Sequence, residues 1–408
     1  MSASTLPQEI LMEILFKLPA KTLVRFKCVF KFFCALIVDH GFGVVHRSLS
    51  LTLPSRAGFL ISIELRTPPF APLRHVYYTL NFSPHRRGTV QANRVAYLDT
   101  APFLISSSSD GLICVSKPKG DVAVCNVSTG QRIFLPRIQY KDYAPYLGYD
   151  SQSKRYKVLM ATQMIDPESN NYLYNNYKYK LWVFTVGVDR SWREINNCGS
   201  YIFHPSFYNS NTCVYIDGVI YSHNSLNKHS MFHKFHIETF EVGCESFSAI
   251  TLPDEISEKY LDFKNSALLE VGGRLAMVFV HLHHPILGGG EGACYMDDLL
   301  RGGEGLCYMD VWTWEKSKKC WEKITITIPP LEWRRIIYNA KCLRFASNHD
   351  GEIVLLCVYI GQLFIFVCNL KSEIWRKFDV SGVDEDFPIF SYWEVALNNV
   401  VDHVFPLE

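Results

Sequence analysis

Two textures of apolar positions divide the chain. Near the start, Ile10, Leu11, Ile14, Leu15 and Leu18 are separated by Gln8, Glu9, Glu13 and Lys17. That three-and-four step places them along a helix. Thr5 with Gln8 three residues on has the form of a capping box, and Pro7 is tolerated in a first turn, where its missing N–H has no intrahelical partner. Pro19 ends this helix, because the residue before a proline is pushed out of the helical region. A second short helix is predicted around Leu23 and Phe26, among Lys21, Arg25 and Lys27, and a third through Val29, Phe30, Phe33, Leu36 and Ile37. Three helices this short bury too little surface to offset chain entropy alone. Apolar residues also lie on more than one side, so the unit either docks on the rest of the chain or completes its core with a partner protein.

Beyond about Val45 the text changes to short apolar strands separated by Gly, Asn, Asp and Ser, as in a sandwich, barrel or propeller. A turn followed by an apolar strand recurs: Asp110-Gly111 before Leu112–Val115, Asp217-Gly218 before Val219–Tyr221, Gly272-Gly273 before Leu275–Met277, and Asp350-Gly351 before Ile353–Leu355. A second signal is a strand, a polar turn, then Trp or an aliphatic residue among charges. It runs from Leu181–Phe184 to Trp192–Ile195, from Val311–Trp314 to Trp321–Ile324, and from Phe364–Phe366 to Trp375–Phe378. Val124–Asn126 leading to Ile133–Leu135 is a version without Trp. Each unit reads as a small antiparallel meander whose apolar face the next must cover, the logic of propeller blades and of kelch repeats. The expected fold is therefore α+β and multidomain. Three helices precede an all-β, irregular, kelch-like propeller of about six blades, with a β-sandwich as the alternative.

Composition narrows the function. The 408 residues are 48% hydrophobic with a formal net charge of +1, which argues against bulk electrostatic binding to nucleic acid or membranes. Arg74, Arg86, Arg87 and Arg94 form one acid-free stretch, read as a solvated strand and loop face. No signal-peptide pattern opens the chain. The most membrane-like run, Ile353–Cys368, is short and interrupted at Gly361-Gln362, which suits two buried strands joined by a turn. Thirteen cysteines without a C-x-x-C pair suit free thiols in the cytoplasm or nucleus.

Leu6-Pro7, Ile10, Ile14-Leu15, Leu18-Pro19, Lys21, Leu23 and the run Arg25–Val29 with Lys31 resemble the F-box, especially its plant form. The resemblance implies binding to the SKP-type adaptor of a cullin-based ubiquitin ligase. It assigns Leu6, Pro7, Ile10, Leu15, Leu18, Pro19, Leu23, Val29 and Phe33 as adaptor-binding or hook-stabilising positions. Three positions depart from the family: Phe33 stands where Trp is usual, Phe30 where Ser is common, and His40 where Pro is usual. Downstream, Ser108–Cys114, Asn126–Gly130 with Leu135-Pro136, and Leu147–Asp150 with Tyr156–Val158 resemble the plant F-box-associated domain. The implied organisation is an F-box over 1–45, a poorly matched β segment over 46–98, the F-box-associated domain over 99–385 and a C-terminal segment over 386–408. The implied role is non-catalytic: capture of a target protein for ubiquitination. A scaffold that has lost its adaptor, or a propeller enzyme or lectin, are the rival readings.

No chemistry-bearing motif competes. His281, His283 and His284, and His229, His233 and His236, lack Cys or carboxylate partners at metal-ligand spacing and read as surface or satisfied histidines. G-x-S-x-G, H-E-x-x-H and Walker-type loops are absent, and Cys28 reads as packing. No metal or cofactor is expected. Gly289–Asp297 is nearly repeated by Gly302–Asp310, a tandem duplication that lengthens one loop at small entropic cost. Tyr172, Tyr174, Tyr177 and Tyr179 are the target-binding candidates, since tyrosine offers broad amphipathic contact at low entropy cost.

Overall fold

The computed structural model describes residues 7–407, apart from 66–73, 81–87, 100–103, 118–120, 139–141, 166–176, 196–212, 224–235, 260–265, 283–306, 329–330, 339, 341 and 384–392. Four helices open it: α1 (Gln8–Lys17), α2 (Ala20–Lys27), α3 (Lys31–Val38) and α4 (His40–Leu51). The fourth exceeds the three that periodicity predicts. Gly41, Gly43, Ser48 and Ser50 dilute its apolar pattern, and Asp39 starts it by accepting the Phe42 N–H at 3.0 Å. Pro7 stands just ahead of α1 as its N-cap, not within the first turn, and no side chain caps that end. Thr5 and Leu6 lie outside the described residues. Leu15, Ala20, Leu23, Ile37 and Phe42 form the helical core, joined by Val404 from the far end of the chain.

Strands follow as β1 (Ala57–Leu65), β2 (Arg74–Leu80), β3 (Thr89–Arg94), β4 (Leu104–Ser109), β5 (Leu112–Ser116), β6 (Val122–Asn126), β7 (Arg132–Phe134) and β8 (Asp142–Asp150). Next come β9 (Arg155–Ile165), β10 (Tyr177–Thr185), β11 (Arg193–Ile195), β12 (Cys213–Ile216), β13 (Val219–His223), β14 (His236–Glu241), β15 (Ser246–Thr251) and β16 (Ser266–Val271). The last are β17 (Arg274–Leu282), β18 (Cys307–Glu315), β19 (Cys320–Thr327), β20 (Cys342–Ser347), β21 (Ile353–Tyr359), β22 (Gln362–Asn369), β23 (Ile374–Ser381) and β24 (Trp393–Val401). From β4 to β23 they form successive four-stranded antiparallel meanders. The remaining strands make another in the order β24-β1-β2-β3, so the C-terminal strand completes the unit that the first strands begin. A short parallel pairing of β3 with β23 joins it to the preceding unit as one eight-stranded sheet.

The first strands of these units touch in a closed ring: β24 with β4, then β8, β12, β16, β20 and back to β24. Meanders radiating from such a ring make a β-propeller; a sandwich would stack two facing sheets. Two segments that the sequence sets apart from the β domain therefore belong to it, since 46–98 supplies β1–β3 and 386–408 supplies β24. The helical module in turn runs past residue 45 to Leu51.

Both repeat signals acquire a place. Asp110-Gly111, Asp217-Gly218 and Gly272-Gly273 each join a first strand to a second, with φ of 51° and 94°, 44° and 84°, and 57° and 76°. Paired left-handed residues make the tight hairpin turn that matches strand twist. At Asp350-Gly351 only the glycine is left-handed, at 72°. The tryptophans recur because they tie units together: the indole N–H of Trp192 donates to Pro136 O at 2.6 Å, that of Trp321 to Thr251 O at 3.0 Å, and that of Trp375 to Thr327 O at 3.2 Å. Each acceptor lies at or just past the last strand of the preceding unit. The run Ile353–Cys368 forms β21 and β22 around a turn at Ile360-Gly361. Among the described residues no helix is long and apolar enough to cross a membrane.

Candidate functional site

Among the described residues, the helical module leaves several apolar side chains exposed. Ile10 and Ile14, one turn apart on α1, are each 45% exposed, and Val29 and Phe30, between α2 and α3, are 72% and 62% exposed. Pro7 and Pro19 are exposed, whereas Leu18 and Phe33 are half-buried. Leu15 and Leu23, expected within the adaptor-binding set, are fully buried and hold the helices together, so a partner cannot reach them while the module is folded. Apolar residues circle most of α1, and spacing alone does not tell its inward side from its outward one. Phe33 is the hub of an aromatic cluster, with the rings of Phe26, Phe32 and Phe30 centred 5.4, 5.8 and 6.4 Å away. Lys17, Lys21, Arg25, Lys27 and Lys31 are interspersed along this stretch, with no acidic residue between Glu13 and Asp39. Cys28, expected inside, is exposed at the end of α2.

The module is locked to one end of the propeller by α4 and the C-terminal tail. The Arg47 guanidinium pairs with Asp110, donates to the Tyr156 hydroxyl at 2.9 Å and lies 3.5 Å from the centroid of the Tyr149 ring. Burial by itself favours loss of its proton, but Tyr156 and Asp110 outweigh that and hold it more firmly protonated than usual. In the tail, Asp402 accepts the N–H of Ala20, the first residue of α2, at 3.0 Å. Asn126 donates to the carbonyls of His403 and Phe405, both at 3.2 Å. Phe405 meets the His40 ring edge-on at 5.3 Å. Arg56 reaches back to the carbonyls of Phe16 and Leu18 at 2.8 and 3.1 Å. A Cβ on Gly43 would fall 2.3 Å from Pro406, so backbone and tail meet there without room for a side chain. Sequence reasoning passes over Arg47, Asp402 and His403. Asp110 carried a signal as a repeat turn, and Asn126, Tyr149 and Tyr156 fall in stretches that resemble the F-box-associated domain.

Strand direction distinguishes the two ends of the propeller. In each unit from β4 to β23 the first-to-second and third-to-fourth turns gather at one end, and the other connections leave from the opposite end. The module meets the first end through Asp110, and Val24, Lys27, Ile37 and Val38 line a cavity together with Thr129 and Gly130 of the turn that Asn126 supports. Long connections, between β9 and β10, β11 and β12, β13 and β14, β15 and β16, β17 and β18, and β19 and β20, all leave from the other. Tyr172 and Tyr174 lie on one of these, outside the described residues, while Tyr177 and Tyr179 belong to β10 itself, opposite Ile165 and Gln163. The latter two are strand residues rather than part of a recognition loop.

His229, His233, His283, His284 and Gly289–Asp297 also lie outside the described residues. His236 opens β14, and its Nε2 is 3.8 Å from Glu238. His281 stacks on Tyr308 and sits 3.2 Å from Asp310, which also meets Lys323 at 3.0 Å. Among the described residues no group of three or more His, Cys, Asp or Glu is arranged to hold a metal ion.

Comparison with known proteins adds to this geometry. Residues 74–404 match the family model of the F-box associated beta propeller domain, and residues 4–44 match that of the F-box domain. An F-box protein of Arabidopsis thaliana is 24% identical over 98% of this chain and 92% of its own. Another is 25% identical over 93% and 91%. An F-box/LRR-repeat protein of the same plant is 24% identical over 92% and 81%.

Proposed function

The chain belongs to the F-box proteins that carry an F-box-associated β-propeller domain, and from that premise we propose that it is a non-catalytic, substrate-recognition subunit of an SCF-type ubiquitin ligase. The observation that carries this reading is the exposure of the apolar side chains Ile10, Ile14, Val29 and Phe30 on a module fixed to the propeller. These side chains dock on the SKP-type adaptor, which links the chain to the cullin. A target protein binds at the far end of the propeller, where the long connections emerge. No residue of this chain touches the transfer chemistry. Its contribution is positional: tethering raises the effective concentration of target lysines at the transfer site, and a stiff joint keeps them in one orientation.

The test is co-purification of the full chain with a plant SKP-type adaptor, alongside an Ile14→Asp/Val29→Asp variant. Both positions are exposed, so the charges leave the helical core intact. We expect capture by the unmodified chain, and loss of capture by the variant at unchanged melting temperature. A well-folded full chain that captures no adaptor would refute the ligase reading and leave a ligase-independent scaffold.

A further inference from the structure

Phe30 occupies a position that suits a small polar residue better. It is the N-cap of α3, with φ −153° and ψ 138°; its carbonyl takes the first bond of the helix, from the Cys34 N–H at 3.1 Å, and its side chain caps nothing. Ser, Thr, Asp or Asn there would accept one of the free N–H groups of the first turn. Phe30 forgoes that bond and leaves its ring 62% exposed, beside Val29 at 72% and Phe32 at 43%. An uncapped helix start and a cluster of solvated apolar side chains are both unfavourable for the isolated fold. Ile10 and Ile14 on α1 are exposed as well, and in the sequence cations flank the patch at Arg25, Lys27 and Lys31.

We infer that Phe30, with Val29 and Phe32 beside it, is a principal anchor for the adaptor, which must offer it an apolar pocket rimmed by acidic groups. This rests on the ligase reading above and names the residue that gives the contact its strength. Exposed aromatic side chains that enter a pocket on the partner dominate interface energetics, and surrounding basic residues steer and orient an acidic partner. Phe30 is thus a specificity-determining departure: it strengthens the adaptor contact at the expense of the helix cap.

Stability and binding therefore move in opposite directions on substitution. In the full chain, Phe30→Ser restores a capping oxygen, so the melting temperature holds or rises, while affinity for a purified plant SKP-type adaptor falls about tenfold. Phe134→Ser, which removes an equally exposed ring (60%) from the propeller, leaves that affinity unchanged. Raised salt weakens the unmodified complex, as a basic patch on an acidic partner requires. Equal affinity of Phe30→Ser and the unmodified chain would overturn the inference and leave the ligase reading standing. Self-association that Phe30→Ser abolishes without a change in adaptor affinity would overturn it too, and would assign the patch to a second copy of the chain. If the unmodified chain bound no adaptor, the ligase reading and this inference would fall together.

Discussion

His403 is fully buried with both ring nitrogens engaged: Nδ1 accepts the Phe405 N–H at 3.1 Å, and Nε2 faces the Asp110 carbonyl. That pairing requires the neutral tautomer with its hydrogen on Nε2. Burial, reinforced by Arg47, His46 and Arg56, pushes the imidazole down to about 3 from its usual 6.5. In the unfolded chain it takes up a proton below its usual value, whereas in the fold it stays neutral. Its stabilisation is therefore complete above pH 6.5 and is lost as the pH falls towards 3. At pH 5 the loss is about 2 kcal/mol. His403→Asn keeps a donor and an acceptor but cannot titrate, so between pH 7.5 and 5 its unfolding free energy in urea should fall by about 2 kcal/mol less than that of the unmodified chain. The comparison cancels other groups, such as Glu270, which burial and the nearby Asp110 and Asp217 raise to about 7 and which acts in the opposite sense. Equal slopes would show that His403 does not carry the effect. Nothing local marks this histidine in the sequence, since it meets Asp110 across 293 positions.

Among the elements, α4 decides how the two domains sit, and it is the helix that periodicity misses. Its inward residues include Gly43, His46, Arg47 and Ser50, all buried and none apolar enough to register as a helical stripe. Arg47 is the strongest link, since its charge is paired with Asp110 and stacked on Tyr149. Arg47→Met preserves most of the side-chain volume but leaves the Asp110 carboxylate, 15% exposed, without its cation. Removing one partner of a largely buried pair costs about 3 kcal/mol, measurable as a shift in the urea midpoint. Unchanged stability would mean that the tail alone holds the joint. By contrast, β-hairpins were legible: Asp110-Gly111, Asp217-Gly218 and Gly272-Gly273 form paired left-handed turns, and Trp-bearing strands mark the outer half of three units. Gly111 adds a constraint that only the fold reveals, because a Cβ there would lie 2.1 Å from the Val401 carbonyl.

Across the whole molecule, the chain ends perform the closure. β24 pairs with β1 along its full length, from Ala57↔Val401 to Leu65↔Trp393, so the ring exists only once residue 401 is in place. Asp402, His403 and Val404 after it then help complete the helical core and the joint. A chain lacking residues 393–408 should lose its cooperative unfolding transition, because one unit lacks its first strand and its neighbours lose their cover. One lacking only 402–408 should keep that transition, at lower stability. Cooperative unfolding of the shorter chain, followed by circular dichroism in urea, would show that the ring does not depend on this strand. The sequence by itself determined the helical start, an all-β domain of repeated meanders, the turns between most first and second strands and the resemblance to the family, because these follow from local periodicity, turn chemistry and motif spacing. The ring of first strands decided for the propeller over the sandwich. Only the tertiary structure decided which F-box positions face inward, that 46–98 and 386–408 join the propeller, and how α4 and the tail fix the module to one end of it. Those depend on contacts between residues tens to hundreds of positions apart, and pairing at that range leaves no periodic trace in one chain.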